Sequence, residues 1–274
     1  MNTNPREIRP IFVNSRADQY MSNERNEENS VSLDLFNDQE EPMYKTKKYY
    51  PSDKMSDMIC SDYALLQVMS RFGLSLGFGE ATIEEVCKAN QVDCKTFLAV
   101  ANYMLQKDDY VYNEQEQISI PTLMNYLKQS HHFFLDFQLP NIREKLLVYI
   151  NKSEDPEISQ LILNFFDSYV DEVFHHMGFE DTEIFTYVND LLHGKRNPEY
   201  SIDSFANKHG QTDQKLTELK NIIIKYLPTN GETYLSNALL FELFSCIEDL
   251  NTHGHIEDFI FVPVVRRLEQ ETLH

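Results

Sequence analysis

The sequence lacks several features that would assign it to a common class of protein. No apolar run approaches the roughly 18 residues that cross a bilayer, and the N-terminal MNTNPREIRP has no apolar stretch behind a basic start. We therefore expect no membrane span and no secretory signal. The chain has four cysteines, at scattered positions without the spacing of a metal site or a disulfide framework. This pattern favours a reduced, cytoplasmic protein.

Basic residues are also scarce. The 274 residues include 24 Lys and Arg against 44 Asp and Glu, which gives a formal charge of −20. Nucleic-acid binding requires a basic surface, and the only dense basic cluster is the short one at 45–48. We therefore expect no nucleic-acid partner. Alternating strand patterns, internal repeats and a phosphate-binding loop are missing as well.

The sequence does contain a succession of helical patterns, which predict an all-α protein in three parts. Residues 1–43 are polar and acidic, and we expect a flexible arm. Residues 44–110 are predicted to form a small helical domain. Residues 118–270 are predicted to form an antiparallel four-helix bundle, because four long amphipathic patterns are joined by short turns that contain proline or glycine.

Local signals place the individual helices. The bundle helices are predicted at about 120–150, 156–193, 199–227 and 232–270. Pro140 and Pro263 fall inside the first and the last of them and are expected to kink or interrupt them. In the small domain, Asp53 is the predicted N-cap of a helix at about 53–71, and a further helix is predicted at about 95–106. Between them, Thr82 and Glu85 have the spacing of a capping box.

Two His/Glu pairs interrupt apolar faces of the predicted bundle. His176 and Glu180 are four residues apart, and so are His253 and Glu257. Each pair therefore lies on one helix face, and the rest of that face is apolar. An ionised glutamate on a core-facing stripe costs several kcal/mol unless it is paired. Two such pairs predict metal ions inside the bundle. A single pair at this spacing is also common on a solvated helix face.

Each bundle segment offers at least one histidine. The candidates are His131, His132, His175, His176, His209, His253 and His255. Neighbours on a helix point about 100° apart, so we expect His175 and His255 at the surface. Imidazoles combined with carboxylates suit iron, manganese or zinc, and no cysteines are arranged to help. This favours two iron ions over a cysteine-rich zinc site.

The segments HMGFEDTEIF from His176 and HGHIEDFIFVP from His253 resemble the di-iron hemerythrin-like domain of the repair-of-iron-centres family. The resemblance covers about 55–270 and includes a small helical domain before the bundle. It implies a non-haem di-iron centre in which two glutamates bridge the ions. The implied ligands are His132, His176, Glu180, His209, His253 and Glu257.

The choice of His132 rests on the family spacing, since His132 stands eight residues before Pro140. The apolar positions Leu123, Leu127 and Phe134 lie nearer the face of His131.

The sequence departs from the family at two places. The family has a further histidine near the end of the first bundle helix, where this chain has Asn151–Asp155. One iron would then keep an open position or use Glu154 or Asp155, and a bundle that has lost its metal function stays open. The family also carries adjacent cysteines in a turn that corresponds to 76–79 here, so a thiol-dependent step assigned to that turn cannot occur.

The resemblance implies repair of iron–sulfur clusters under nitrosative or oxidative stress, by binding or donating iron, with iron–sulfur proteins as partners. The alternative is a di-iron sensor that binds dioxygen or nitric oxide and signals to a partner protein through the N-terminal region. Whether the protein is an enzyme stays undecided. The oligomeric state is also open, with a homodimer as one option.

Overall fold

Helices dominate the computed structural model, which describes residues 48–106, 117–151, 155–206, 212–226 and 233–272. Besides helices and turns, these residues form one isolated β-bridge, between Lys54 and Thr82. The all-α prediction is thereby confirmed. Among the described helices, none combines the length and the hydrophobicity that a membrane span requires. The predicted arm lies outside the described residues.

Four short helices precede the bundle. They are α1 Met55–Ser61, α2 Leu65–Arg71, α3 Ile83–Ala89 and α4 Cys94–Gln106. The single helix predicted at 53–71 is wrong, because the Asp62 side chain accepts a hydrogen bond from the Ala64 N–H at 2.9 Å and closes a turn between α1 and α2. Asp53 is not the N-cap either, since Lys54 holds that position and Asp53 accepts from the Tyr50 N–H instead.

The capping box predicted for α3 is confirmed. The Glu85 N–H donates to Thr82 Oγ1 at 3.3 Å, and the Thr82 N–H donates to the Glu85 carboxylate at 2.8 Å. Two orphan N–H groups at the start of the helix are thus satisfied by side chains, which explains why this short helix begins at Ile83.

The bundle consists of four helical segments, three of which contain a π-helical turn. The first is α5 Ile120–Phe133, π1 Phe134–Gln138 and α6 Leu139–Ile150; the second is α7 Pro156–Phe179, π2 Glu180–Ile184 and α8 Phe185–Leu192; the third is α9 Asp203–Ala206 and α10 Thr212–Tyr226; the fourth is α11 Thr233–Ile256, π3 Glu257–Phe261 and α12 Val262–Glu271. Helix α6 packs on α7, α7 on α10, α10 on α11 and α11 on α6. This closed ring of neighbours is a four-helix bundle.

The two prolines inside these segments each follow a π turn. Pro140 is the second residue of α6, directly after π1, and Pro263 is the second residue of α12, directly after π3. Proline has no N–H to donate and crowds the preceding turn, so the regular α pattern is interrupted where each one enters. The turn π2 contains no proline.

The buried apolar side chains form two clusters. One joins α1–α4 to the end of the bundle that contains α8 and α12, and includes Leu127, Ile184 and Ile260. The other fills the opposite half, between α6, α7, α10 and α11, and includes Phe134 and Met177. On each of three bundle segments the chain passes from one cluster to the other within a few residues. The candidate site lies at this boundary between the two apolar clusters.

A buried ion pair also connects the N-terminal helices to the bundle. Arg71 on α2 donates to both carboxylate oxygens of Asp249 on α11, at 2.8 and 2.5 Å. The guanidinium lies over the rings of Phe133 and Phe134, at 5.1 and 5.0 Å from their centroids. Asp249 is one helical turn before His253, so this contact adjoins the site.

Candidate metal centre

Four buried side chains converge in the middle of the bundle. They are His131 on α5, Glu180 on π2, His253 on α11 and Glu257 on π3. One ligand atom from each lies within 4.8 Å of the others. Two imidazoles and two carboxylates in such a volume could hold a metal ion.

The apolar residues around the cluster explain its position. His131 lies between Leu127 of one core and Phe134 of the other, and Glu180 lies between Met177 and Ile184. The polar groups thus form one layer between two hydrocarbon layers. Each glutamate is the first residue of a π turn. Since π turns often occur at functional sites, this coincidence of turn and carboxylate singles out the layer.

His131 Nε2 lies at the centre of the contacts. It is 3.1 Å from His253 Nε2, 3.2 Å from Glu180 Oε2 and 3.9 Å from Glu257 Oε1. Glu257 Oε1 is in turn 3.4 Å from His253 Nε2. Two nitrogens bound to one ion at about 2.1 Å, at a right angle, would stand about 3 Å apart. The observed separation of the two Nε2 atoms therefore suits neighbouring ligands of one cation.

The charges of the cluster depend on one another. Burial lowers the pKa of His131, but the carboxylates of Asp181, Glu180 and Glu257 outweigh burial and raise that pKa well above its ordinary value. Burial and the neighbouring Glu180 raise the pKa of Glu257, but His253 and His131 outweigh them and hold it below its ordinary value. The site therefore stabilises positive charge at its centre, either as a proton on His131 or as a cation.

The surroundings of His131 hold its ring in place. The Asp181 carboxylate contacts Nδ1, the other ring nitrogen, at 3.0 Å. Phe185 stacks on the ring, with the centroids 5.8 Å apart and the planes 12° from parallel. Sequence reasoning missed Asp181, because no local pattern pairs it with a residue 50 positions earlier.

The structure brings together three of the six predicted ligands: Glu180, His253 and Glu257. It does not bring His132 to them. The His132 side chain is 72% exposed and contacts Asp136, whereas the neighbouring His131 is buried in the cluster. We therefore replace His132 with His131, the residue that the stripe of apolar side chains indicated.

His176 and His209 complete the predicted set. His176 Nε2 is 3.0 Å from Glu180 Oε1, at the edge of the cluster, and the side chain is 28% exposed. His209 lies outside the described residues. The expected surface positions of His175 and His255 are confirmed.

Asp155 cannot serve as the substitute ligand that the sequence suggested. It caps the start of α7, where its side chain accepts from the Ile158 N–H. Glu180 directly follows the other end of this 24-residue helix, about 36 Å away at 1.5 Å per residue. The suggested use of Asp155 is therefore wrong, and Glu154 lies outside the described residues.

The donor set fits a transition-metal cation. Imidazole nitrogen with carboxylate oxygen suits iron, manganese and zinc, and His253 presents Nε2 to the cluster, 3.1 Å from His131 Nε2. Cys246, a buried cysteine of α11, is not part of the cluster. The histidines and glutamates of the cluster could thus hold a cation without a cysteine.

Comparison with known proteins gives a family for this region. The family model described as "Hemerythrin HHE cation binding domain" matches residues 122–265. The match contains all four residues of the cluster and the neighbouring His176. Comparison with curated proteins finds no match.

Proposed function

The chain belongs to the hemerythrin HHE cation-binding family, and on this premise we propose that its bundle holds two non-haem iron ions and that the protein accepts and donates iron in the repair of damaged iron–sulfur clusters. The observation that carries the proposal is the buried cluster of His131, Glu180, His253 and Glu257. Manganese and zinc suit the same donors, so metal analysis of the isolated protein is part of the test.

The position of Glu180 favours two ions over one. Its Oε2 atom faces His131 Nε2 at 3.2 Å, and its Oε1 atom faces His176 Nε2 at 3.0 Å. One carboxylate with its two oxygens on two different histidines has the arrangement of a bridge between two cations. The inner ion would be held by His131, His253, Glu257 and Glu180, and the outer ion by His176 and Glu180, with His209 as a further predicted ligand.

The different burial of the two histidines supports iron exchange. His131 is buried, whereas the His176 side chain is 28% exposed. An outer ion would therefore reach solvent more easily than the inner one and could be accepted or released while the inner ion stays bound.

Membership of the repair-of-iron-centres family is part of this proposal. The cysteine turn of that family is replaced by Leu76–Gly79, so the proposed repair does not use a thiol at that turn.

The experiment is anaerobic reconstitution with iron(II), followed by removal of iron with a chelator. We expect about two iron ions per chain, lost in a fast and a slow phase, and His176→Ala should remove the fast phase alone. His175→Ala is the matched control, because its side chain is exposed one residue earlier on the same helix. Wild-type protein that binds no iron would refute the proposal. The repair role requires further that loaded protein transfers iron to an enzyme with a damaged iron–sulfur cluster.

One observation supports a second candidate, a sensor of dioxygen or nitric oxide. The Arg71–Asp249 ion pair joins α2 to the helix that carries His253, and the Phe134 ring contacts both Arg71 and His253. A change at the metal site would thus have a packed contact with the N-terminal helices. Nitric oxide added to the reduced, iron-loaded protein separates the two functions. A sensor would show a lasting spectral change with altered hydrogen exchange in α1–α4, and repair would show iron transfer without that change.

A further inference from the structure

We propose that Asp181 is a positioning residue, which fixes the tautomer and the orientation of His131 and thereby sets the affinity of the inner metal site. This inference rests on the proposed metal binding. The geometry that carries it is the 3.0 Å contact between Asp181 Oδ1 and His131 Nδ1, on the side of the ring away from the cluster.

A neutral histidine carries its proton on one ring nitrogen and offers a lone pair on the other. An ionised carboxylate can only accept a hydrogen bond, so Asp181 requires the proton on Nδ1. The lone pair then lies on Nε2, the atom 3.2 Å from Glu180 Oε2 and 3.1 Å from His253 Nε2. Asp181 thus selects the tautomer that can bind a cation inside the cluster.

The π2 turn places two consecutive carboxylates on opposite edges of one imidazole. Glu180 contacts Nε2 and Asp181 contacts Nδ1 of His131. Phe185, the first residue of α8, covers a face of the same ring. The π2 turn and Phe185 therefore determine the rotation and the tilt of the His131 ring, which belongs to α5.

The burial of Asp181 bears on both positioning and fold stability. Its side chain is 38% exposed, whereas that of His131 is 1% exposed, so the carboxylate also helps to stabilise charge on a buried ring in the metal-free protein. Loss of this carboxylate should therefore lower the stability of the metal-free fold somewhat, but on protein that stays folded the loss of the partner of a metal-binding histidine weakens metal binding about 10–100-fold.

The test is a titration of the full chain with cobalt(II), in competition with a chelator, with the visible absorption spectrum recorded throughout. We expect Asp181→Ala to weaken the affinity about 10–100-fold and to alter the spectrum, at a temperature where circular dichroism shows the metal-free variant to be folded. Asp181→Asn should give an intermediate affinity, because its amide oxygen can still accept from Nδ1 but carries no charge. It also serves as the test variant if Asp181→Ala does not fold.

Glu183→Ala is the matched control. It removes an exposed carboxylate from the same π turn, so its cobalt affinity should equal that of the wild type. Wild-type affinity in Asp181→Ala would overturn the inference while the proposed metal binding stands. An equal loss in Glu183→Ala would also overturn it, because the effect would then come from surface charge. Wild-type protein that binds no cobalt and no iron would instead refute the proposed function.

Discussion

Replacing Arg71 with methionine should cost the protein about 3–5 kcal/mol of unfolding free energy, the usual result of removing one partner from a buried ion pair. Asp249, which is 7% exposed, would remain buried without the guanidinium of Arg71 that neutralises it. The Gln67 amide, in the orientation that satisfies both groups, would still donate to the carboxylate at 2.9 and 3.2 Å. That contact offsets part of the penalty, and the lost contacts with the rings of Phe133 and Phe134 add to it.

The assay is denaturation of the metal-free protein followed by circular dichroism, with Arg143→Met as the control. Arg143 also makes two hydrogen bonds to one aspartate, Asp167, but these side chains are 44% and 39% exposed. We expect the control to cost about 0–1 kcal/mol. The double variant Arg71→Met/Asp249→Leu should recover much of the loss, since no unpaired charge remains. Equal costs for Arg71→Met and Arg143→Met would refute the reasoning, because burial would then make no difference.

Other consequences follow from the site and the packing around it. His131→Ala should greatly reduce the rise in melting temperature on metal loading, whereas His132→Ala should retain it. Metal at a hundredfold excess over Kd adds about 2.7 kcal/mol to the stability of the wild type for each site, and calorimetry with and without metal measures the rise in both variants. Metal binding should release protons, and the metal affinity should fall as the pH drops below the raised pKa of His131, because proton and cation compete for Nε2. A metal affinity that does not change between about pH 5 and pH 8 would contradict this prediction. Glu269→Ala should cost about 2–4 kcal/mol, since the buried carboxylate accepts hydrogen bonds from the Tyr187 hydroxyl and the Ile202 N–H. Glu271→Ala, two residues on and exposed, should cost under about 0.5 kcal/mol in the same denaturation assay.

The bundle could be predicted from the sequence because its signals are local. The apolar periodicity of each segment and the turn residues between segments lie within a few positions of one another, and the described helices begin and end close to the predicted ranges. The His176–Glu180 and His253–Glu257 pairs could be recognised for the same reason. Each pair lies on regular α-helix up to the glutamate that begins the π turn, so the four-residue spacing keeps both side chains on one face.

The choice between His131 and His132 shows where counting along the sequence fails. Counting eight residues back from Pro140 crosses π1, where hydrogen bonds from residue i to i+5 add a residue to the turn. The apolar stripe through Leu123 and Leu127 does not cross that turn and continues to His131. The local periodicity was therefore a better guide than a spacing taken over from a family resemblance.

Contacts between distant segments left no local signal at all. Arg71 and Asp249 are 178 residues apart, and His131 and Asp181 are 50 apart. A charged residue on a short helix is ordinarily solvated, and only the packing of α2 against the bundle buries Arg71. The break between α1 and α2 was missed for a different reason: the Asp62 side chain competes with the helix for a backbone N–H, which an apolar pattern does not reveal.

The charges of the site lead us to expect that this bundle folds before it binds a metal. Without a cation, positive charge on the imidazole of His131 stabilises the buried Glu180 and Glu257, as the raised pKa of His131 and the lowered pKa of Glu257 indicate. The two apolar clusters on either side of the polar layer supply the hydrophobic stabilisation independently of the site. A small zinc domain lacks such cores and unfolds without its ion. A cation bound as proposed would displace a proton from ligands that the fold already brings together, so its affinity would depend on how firmly those ligands are oriented.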